Sequence, residues 1–267
     1  MKKSVIQLLF VASIFISLIS TGCDTDGICR RGNGAILTDT LSLSPFTSID
    51  LVQAASVHVK QGTTQEIIVE ADENVLEALK IEVINDELVI DVEGCWFNYD
   101  MDVYVTIPTT QPQKSFVVSG SGEIEVEDSL VLDTDFQAII SGSGEIKLTA
   151  ATPISFADLR ISGSGNLILD IETDSTESKV SGSGELQLEG KTITHNSKIS
   201  GSGDIYAFDF ATENTSVNVG GSGDAEVRVE GGTLDVKITG SGNVSYKGTP
   251  GSVNSNVTGS GKLTDAN

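Results

Sequence analysis

The tetrapeptide Ser-Gly-Ser-Gly, with slight variants, occurs eight times in the second half of the chain. Successive copies begin 19 to 22 residues apart. A period near 20 residues indicates one structural unit stacked on itself, because so short a unit buries its apolar face only against its neighbours. The chain is therefore expected to form a solenoid. The copies begin at Ser119, Ser141, Ser162, Ser181, Ser200, Gly220, Thr239 and Thr258.

Each copy lies in an alternating pattern that is typical of a β-strand. From Val118 to Val126, apolar residues and glycines occupy every second position, with serines and glutamates between them. Such alternation gives a strand one dry face and one wet face. Glycine weakens a strand interior, so the two inward glycines of each copy predict a tight corner. The predicted fold is all-β: a single-stranded right-handed β-helix with coils of about 20 residues, whose Ser-Gly-Ser-Gly repeats fill residues 109–267.

Stacked coils would place equivalent residues in ladders about 4.8 Å apart. One predicted ladder consists of serines able to hydrogen-bond along the stack: Ser119, Ser141, Ser162, Ser181 and Ser200. A second ladder is mostly acidic, although like charges that face each other in paired strands are destabilising. Asparagines interrupt this ladder and a lysine ends it, in the order Glu123, Glu145, Asn166, Glu185, Asp204, Asp224, Asn243 and Lys262.

The preceding part of the chain, residues 35–108, also has strand patterns but is less repetitive. Asn85 and Asp86 stand between two apolar runs and predict a hairpin turn. Apolar residues at helical spacing predict a short helix over residues 74–80. We expect this half to cap one end of the solenoid, because repeat proteins need capped ends to stay soluble.

Three segments and the repeated motif make the chain similar to a known family. The segments are residues 46–49 (FTSI), 57–62 (VHVKQG) and 69–74 (VEADEN). Together with the repeats, they resemble the putative auto-transporter adhesin family with the head GIN domain, common in Bacteroidetes, over residues 30–267. Residues 53–56 (QAAS) depart from the glycine-rich sequence that family members often have there. The resemblance implies a β-helical, adhesin-like protein of the cell envelope, and it carries over no catalytic residues.

The N-terminus has the features of a lipoprotein export signal. Residues 1–22 combine two lysines with an apolar run that is shorter than a typical membrane span. Gly22 followed by Cys23 resembles a lipid-attachment motif, so we predict cleavage before Cys23, lipidation of Cys23, and an acylated linker over residues 23–34. Ordinary signal cleavage nearby, with Cys23 as a free thiol, is the alternative. Attached acyl chains would hold the protein on a membrane.

Two aspartates shortly after the cysteine resemble the export signals of surface lipoproteins. The expected location is therefore the outer membrane, with the protein exposed on the cell surface. Location on the periplasmic face is the alternative. An exported compartment permits disulfides, and the two remaining cysteines, Cys29 and Cys95, predict one bridge. The alternative is a pair of buried or idle thiols.

The composition is strongly acidic, with 38 Asp and Glu against 16 Lys and Arg and a net charge of −22. This charge argues against nucleic acid and anionic lipid as partners, and the few cations argue against an acidic substrate. No metal site or cofactor is expected, because only two cysteines and two histidines, His58 and His195, remain. Both histidines are predicted to be surface residues, with His195 in a turn.

No enzyme signature occurs, because the Ser-Gly-Ser-Gly strings lack the strand–turn–helix context of a nucleophile elbow. The sequence therefore favours a non-catalytic binding module on the cell surface, held to the membrane by its lipid anchor. Its partner is expected to be a glycan or an envelope or host protein. A periplasmic structural or stress-sensing module is the first alternative, and a polysaccharide-acting β-helix enzyme is the second.

Overall fold

The computed structural model describes residues 29–267, so the predicted signal peptide and Cys23 lie outside the described residues. Within these residues there are 22 strands and one short helix. In chain order they are β1 (Arg30–Arg31), β2 (Ile36–Leu41), β3 (Ser48–Leu51), β4 (Ser56–Gly62), β5 (Glu66–Asp72), α1 (Glu73–Leu76), β6 (Leu79–Ile84), β7 (Glu87–Val92), β8 (Trp96–Phe97), β9 (Met101–Pro108), β10 (Gln113–Val118), β11 (Glu123–Val126), β12 (Leu132–Ile140), β13 (Glu145–Thr149), β14 (Ile154–Ile161), β15 (Asn166–Val180), β16 (Glu185–Ile199), β17 (Asp204–Val219), β18 (Ala225–Glu230), β19 (Thr233–Ile238), β20 (Val244–Thr249), β21 (Ser252–Val257) and β22 (Leu263–Asp265).

The coils stack into two parallel sheets, which we name by their position relative to the Ser-Gly-Ser-Gly corner. The leading sheet contains the strands that run into this corner, in the order β7, β3, β10, β12, β14, the second halves of β15 to β17, β19 and β21. The trailing sheet contains the strands that leave it, in the order β9, β4, β11, β13, the first halves of β15 to β17, β18, β20 and β22. The predicted β-solenoid is confirmed.

Antiparallel strands close the N-terminal end of both sheets. β6 pairs with β7 on the leading sheet, whereas β5 pairs with β9 and β2 with β5 on the trailing sheet. Pairing in this direction ends the parallel stack, so the expected N-terminal cap is present. The predicted hairpin turn joins β6 to β7, with positive φ angles of 52° at Asn85 and 65° at Asp86. Both angles fit a tight hairpin turn.

The predicted helix over residues 74–80 is wrong in its length. Helix α1 covers only Glu73–Leu76, and strand β6 begins at Leu79. Leu79 and Ile81 are partly buried against the core. The antiparallel pairing of β6 with β7 therefore overrides the helical spacing of the apolar residues, as tertiary contacts commonly override local propensity.

The glycines of the repeats lie where neighbouring coils approach each other closely. A Cβ atom placed on Gly184 would lie 2.2 Å from the carbonyl oxygen of Gly165 and 2.7 Å from the Ile161 side chain. On Gly182 it would lie 1.8 Å from the carbonyl oxygen of Gly163. The inward glycines are thus required because the backbone of the preceding coil occupies the space of a side chain.

The predicted acidic ladder is present in the trailing sheet. Glu123 pairs with Glu145, and the register continues through Asn166 and Glu185 to Asp204. Beyond this point, each acidic or amide side chain accepts a hydrogen bond from the next coil's backbone. The acceptor–donor pairs are Asp204 Oδ1 with Asp224 N at 2.6 Å, Asp224 Oδ1 with Asn243 N at 2.6 Å, and Asn243 Oδ1 with Lys262 N at 3.1 Å.

The serine ladder is held together mainly by its backbone. The amide of Ser181 donates to Ile161 O and that of Ser200 to Val180 O, each at 2.9 Å. Of the five predicted ladder serines, only Ser181 makes a side-chain hydrogen bond in the described structure, from Oγ to Ile161 O at 3.3 Å. The expected chain of hydroxyl hydrogen bonds is therefore absent among the described residues, and these hydroxyl groups face solvent.

Candidate functional site

An open groove runs along the corner opposite the Ser-Gly-Ser-Gly motifs, where the chain passes from the trailing to the leading sheet. We call it the far-corner groove. Its volume is about 740 Å³, and it extends from Pro153 to Gly231 across successive coils. Its apolar lining includes Pro153, Ile154, Ile193 and Ala211. Ile193 is 50% exposed, so it presents apolar surface to a ligand in the groove.

The charged groups around the far-corner groove are mostly acidic. Four carboxylates and one lysine line it: Glu172, Asp174, Glu213, Glu230 and Lys191. The lysine is already paired, since its Nζ lies 3.1 Å from an oxygen of Glu172. Glu230 is likewise paired, with Arg228 Nε at 2.9 Å. The negative rim around the apolar floor therefore depends on Asp174 and Glu213, and it suits a ligand with apolar and cationic groups.

Three threonines connect the groove to a polar region of the interior. Thr173, Thr192 and Thr212 line the groove, yet each is at least 94% buried. Their hydroxyl groups form hydrogen bonds within the protein. Thr212 Oγ1, for example, donates a hydrogen bond to the carbonyl oxygen of Arg228 at 2.7 Å. Behind them, in the same three coils of the leading sheet, lie five further buried polar side chains: Thr176, Ser178, His195, Ser197 and Thr215.

The prediction that His195 is a surface residue in a turn is wrong. His195 is fully buried within β16, and its Nε2 atom lies 2.8 Å from Ser178 Oγ. The strand does not turn at this point but continues to Ile199, which also faces inward. Counting back from Ile199 in steps of two would have placed His195 inside. His58 lies as predicted on the outer side of the trailing sheet, stacked on Tyr104 with ring centroids 5.1 Å apart.

The Ser178–His195 pair is a structural contact in an interior without enough hydrogen-bond partners. Burial lowers the pKa of His195 to about 4, so the ring is neutral at physiological pH. Its Nδ1 atom, Thr176 Oγ1 and Ser197 Oγ have no hydrogen-bond partner among the described residues. A nucleophilic serine needs a base that is oriented by a third group and a path for substrate. Among the described residues, no third group orients His195, and Ser178 and His195 are both fully buried, so substrate has no path to them.

The structure joins Cys29 to Cys95 by a disulfide, the pairing that the cysteine count predicts. The bridge lies where the short strands β1 and β8 pair in parallel, and the amide of Arg30 donates to the carbonyl oxygen of Cys95 at 2.9 Å. The Arg30 guanidinium lies 5.7 Å from the centroid of the Trp96 ring. These contacts hold the start of the described chain against the segment that precedes β9.

Residues 29–267 contain no group of three or more His, Cys, Asp and Glu side chains arranged to hold a metal ion. In the same residues, no helix is long and apolar enough to cross a membrane.

These features define an acidic β-solenoid with an antiparallel cap at one end and an open groove along one corner. Comparisons with known proteins then establish its family. The chain belongs to the family described as "Putative auto-transporter adhesin, head GIN domain", which matches residues 45–250. The resemblance stated from the sequence is thereby confirmed. No curated protein sequence matches the chain significantly.

Solved structures share the fold over most of the chain. A "putative adhesin" from Parabacteroides merdae ATCC 43184 has a TM-score of 0.82 at 22% identity, covering 89% of this chain and 99% of its own. A "putative adhesin" from Parabacteroides distasonis ATCC 8503 has a TM-score of 0.79 at 26% identity, covering 88% and 98%. A "putative lipid binding protein" from the same strain has a TM-score of 0.79 at 24% identity, covering 89% and 99%.

Proposed function

We propose that this chain is a non-catalytic binding module of the cell envelope that is lipid-anchored through Cys23 and exposed on the cell surface. It holds an extended segment of an envelope or host protein in the far-corner groove. The observation that carries the proposal is the groove itself. It is open, has a volume of about 740 Å³, and combines an apolar floor with a negative rim. The adhesin names of the family and of two structural neighbours support a binding role.

The chemistry of the groove favours a protein segment over a neutral glycan. The exposed Ile193 and the neighbouring Pro153 offer apolar contacts, whereas glycans bind mainly through hydroxyl groups and aromatic stacking. Glu213 and Asp174 on the rim complement a lysine or arginine, and complementary charges give specificity and faster association. A rigid stack of coils needs little reorganisation on binding, which limits the entropic cost.

Panning a random peptide-display library against the purified protein tests the groove. We expect enrichment of peptides that combine apolar residues with Lys or Arg. The substitution Ile193→Glu should weaken the best peptide at least tenfold, because it places a charge on the apolar floor. Tyr206→Glu is the matched control, since Tyr206 is 39% exposed on the outer side of the trailing sheet. Equal loss in both variants, or no enrichment at all, would contradict the proposal.

Location and anchoring need a separate experiment on cells. Protease treatment of intact cells should remove the protein while a periplasmic control remains intact. Protection until the outer membrane is permeabilised would instead favour the periplasmic module. The substitution Cys23→Ala should release the protein from the membrane fraction and abolish incorporation of a labelled fatty acid, and membrane retention in this variant would refute lipid anchoring at Cys23.

A further inference from the structure

The outer side of the leading sheet contains a ladder of cations, although the chain as a whole is strongly acidic. Arg160 pairs in register with Lys179, and Lys179 with Lys198, so three cations occupy consecutive coils. The same column continues through Asn218 to Lys237. All four cationic side chains are exposed. We name Arg160, Lys179, Lys198 and Lys237 the cation ladder.

The charges of the cation ladder are only partly neutralised. Asp158 forms an ion pair with Arg160, and Glu177 with Lys179 at 3.0 Å. The equivalent neighbour of Lys198 is Asn196, which carries no charge. The equivalent neighbour of Lys237 is Asp235. No ion pair between the described residues includes Lys198 or Lys237. Like charges in adjacent strands destabilise a sheet, so the uncompensated Lys198 in register with Lys179 points to an anionic ligand.

Hydroxyl groups lie next to the cation ladder. The exposed corner serines Ser162, Ser181 and Ser200 each follow a ladder cation by two residues and stand in register with one another. Between the two columns lies a shallow groove of about 270 Å³, lined by these serines and by the first three cations of the ladder. Three consecutive coils therefore each place one cation and one hydroxyl group along the solenoid axis, about 4.8 Å from the next pair, whereas the following coil has Asn218 and Gly220 at these positions.

The acidic residues of the trailing sheet do not cancel this local charge. The two sheets of a β-protein pack about 10 Å apart, and the outer side chains of the two sheets point in opposite directions. At physiological ionic strength, interactions between exposed charges are largely screened beyond about 8 Å. A ligand on the leading sheet is consequently influenced mainly by the cation ladder, its two ion-paired carboxylates and the exposed Asp235, which precedes Lys237 by two residues on the same outer side.

We propose that the leading sheet binds a linear acidic polysaccharide laid along the solenoid axis. Its carboxylate groups contact Lys198 and Lys237, and its sugar hydroxyl groups hydrogen-bond to Ser181 and Ser200. Each single contact is weak, and several coils acting on one polymer raise the overall affinity. This site is separate from the far-corner groove and does not depend on it.

Calorimetric titration of the mature protein with polygalacturonate tests the assignment, with neutral dextran as the comparison polymer. We expect binding of polygalacturonate that weakens as salt is added, and no binding of dextran. The variant Lys198→Glu should lose affinity about tenfold, equivalent to about 1.4 kcal/mol, whereas Lys198→Arg should retain it. Lys147→Glu is the matched control, because Lys147 is an exposed lysine on the trailing sheet and this substitution changes the net charge equally.

Three results would overturn the proposal: no binding of polygalacturonate, equal loss in the Lys198→Glu and Lys147→Glu variants, or a single-stranded oligonucleotide that binds as tightly as the polysaccharide. The groove variant Ile193→Glu should bind polygalacturonate like the wild type. Failure of this site can therefore be distinguished from failure of the proposed protein-binding groove.

Discussion

The two sheets of the solenoid share one backbone repeat but differ in their side chains on both sides. Outside, the trailing sheet carries mainly acids, such as Glu125 and Glu145, whereas the leading sheet carries the cation ladder. Inside, the trailing sheet is apolar, as at Leu167 and Leu186. The leading sheet buries a polar group of residues around His195 in the same coils.

This difference shows that the repeat specifies the path of the chain and leaves most side-chain positions free. Backbone hydrogen bonds between parallel strands do not depend on which side chains the strands carry, and the steric requirement for glycine is confined to a few positions, chiefly at the corner. The two sheets can therefore differ in charge and polarity without a change of fold. The following predictions test the comparison, beginning with the corner that both sheets share.

The largest expected effect is at the corner. The substitution Gly184→Val should destabilise the protein by more than about 4 kcal/mol, in the tail of point-mutation effects, because its Cβ would meet the backbone carbonyl of Gly165. Ser183→Ala at the neighbouring exposed position should change stability by less than about 0.5 kcal/mol. Thermal unfolding followed by circular dichroism measures both. Equal Tm values for wild type and Gly184→Val would refute the steric argument.

The interiors of the two sheets should respond differently to substitution. Leu186→Ala in the trailing sheet should cost about 3 kcal/mol, the usual result of a cavity in an apolar core. Thr176→Val in the leading sheet should change stability by less than about 1 kcal/mol or increase it, because the Thr176 hydroxyl is buried without a partner among the described residues. Urea unfolding measures both values. Similar losses in the two variants would mean that the polar interior stabilises the leading sheet.

The buried histidine should make stability depend on pH. The pKa of His195 is about 4 in the folded state and 6.5 in the unfolded chain, so the unfolded state takes up a proton first as the pH falls. The contribution of His195 is fully present above pH 6.5 and is lost towards pH 4, by about 3 kcal/mol in total. The difference in unfolding free energy between wild type and His195→Gln should shrink over this range. A difference that stays constant with pH would contradict the buried neutral ring.

The smallest expected effect concerns the acidic outer side of the trailing sheet. Burial, together with the neighbouring Glu145 and Glu125, raises the pKa of Glu123. The substitution Glu145→Gln should lower this pKa towards its ordinary value, because it removes a like charge from the adjacent strand. An NMR titration measures the shift. Glu177→Gln on the leading sheet should leave the Glu123 pKa unchanged, and a matching shift there would show that the two outer sides are not electrostatically separate.

The sequence predicted the solenoid, the capped end and the hairpin at Asn85 and Asp86, because each depends on a short-range pattern. The sequence-based predictions were wrong where pairing between strands decides the conformation. Strand β6 replaced most of the predicted helix, and the uninterrupted strand β16 buried His195, for which the sequence predicted an exposed turn. The far-corner groove could not be predicted, because its lining residues come from successive coils that are distant in the sequence.

By itself, the sequence determined the repeat period, the alternation of inward and outward residues and the need for glycine at the corner, since these follow from local backbone geometry. The repeat spacing also predicted the acidic ladder that the structure contains, whereas only the tertiary structure decided the burial of His195 and the lining of the far-corner groove. The stacking register brings Arg160, Lys179 and Lys198 together across nearly 40 residues of an acidic chain. Composition cannot reveal such a column, because charge interactions depend on distance in space and not on the total number of charges.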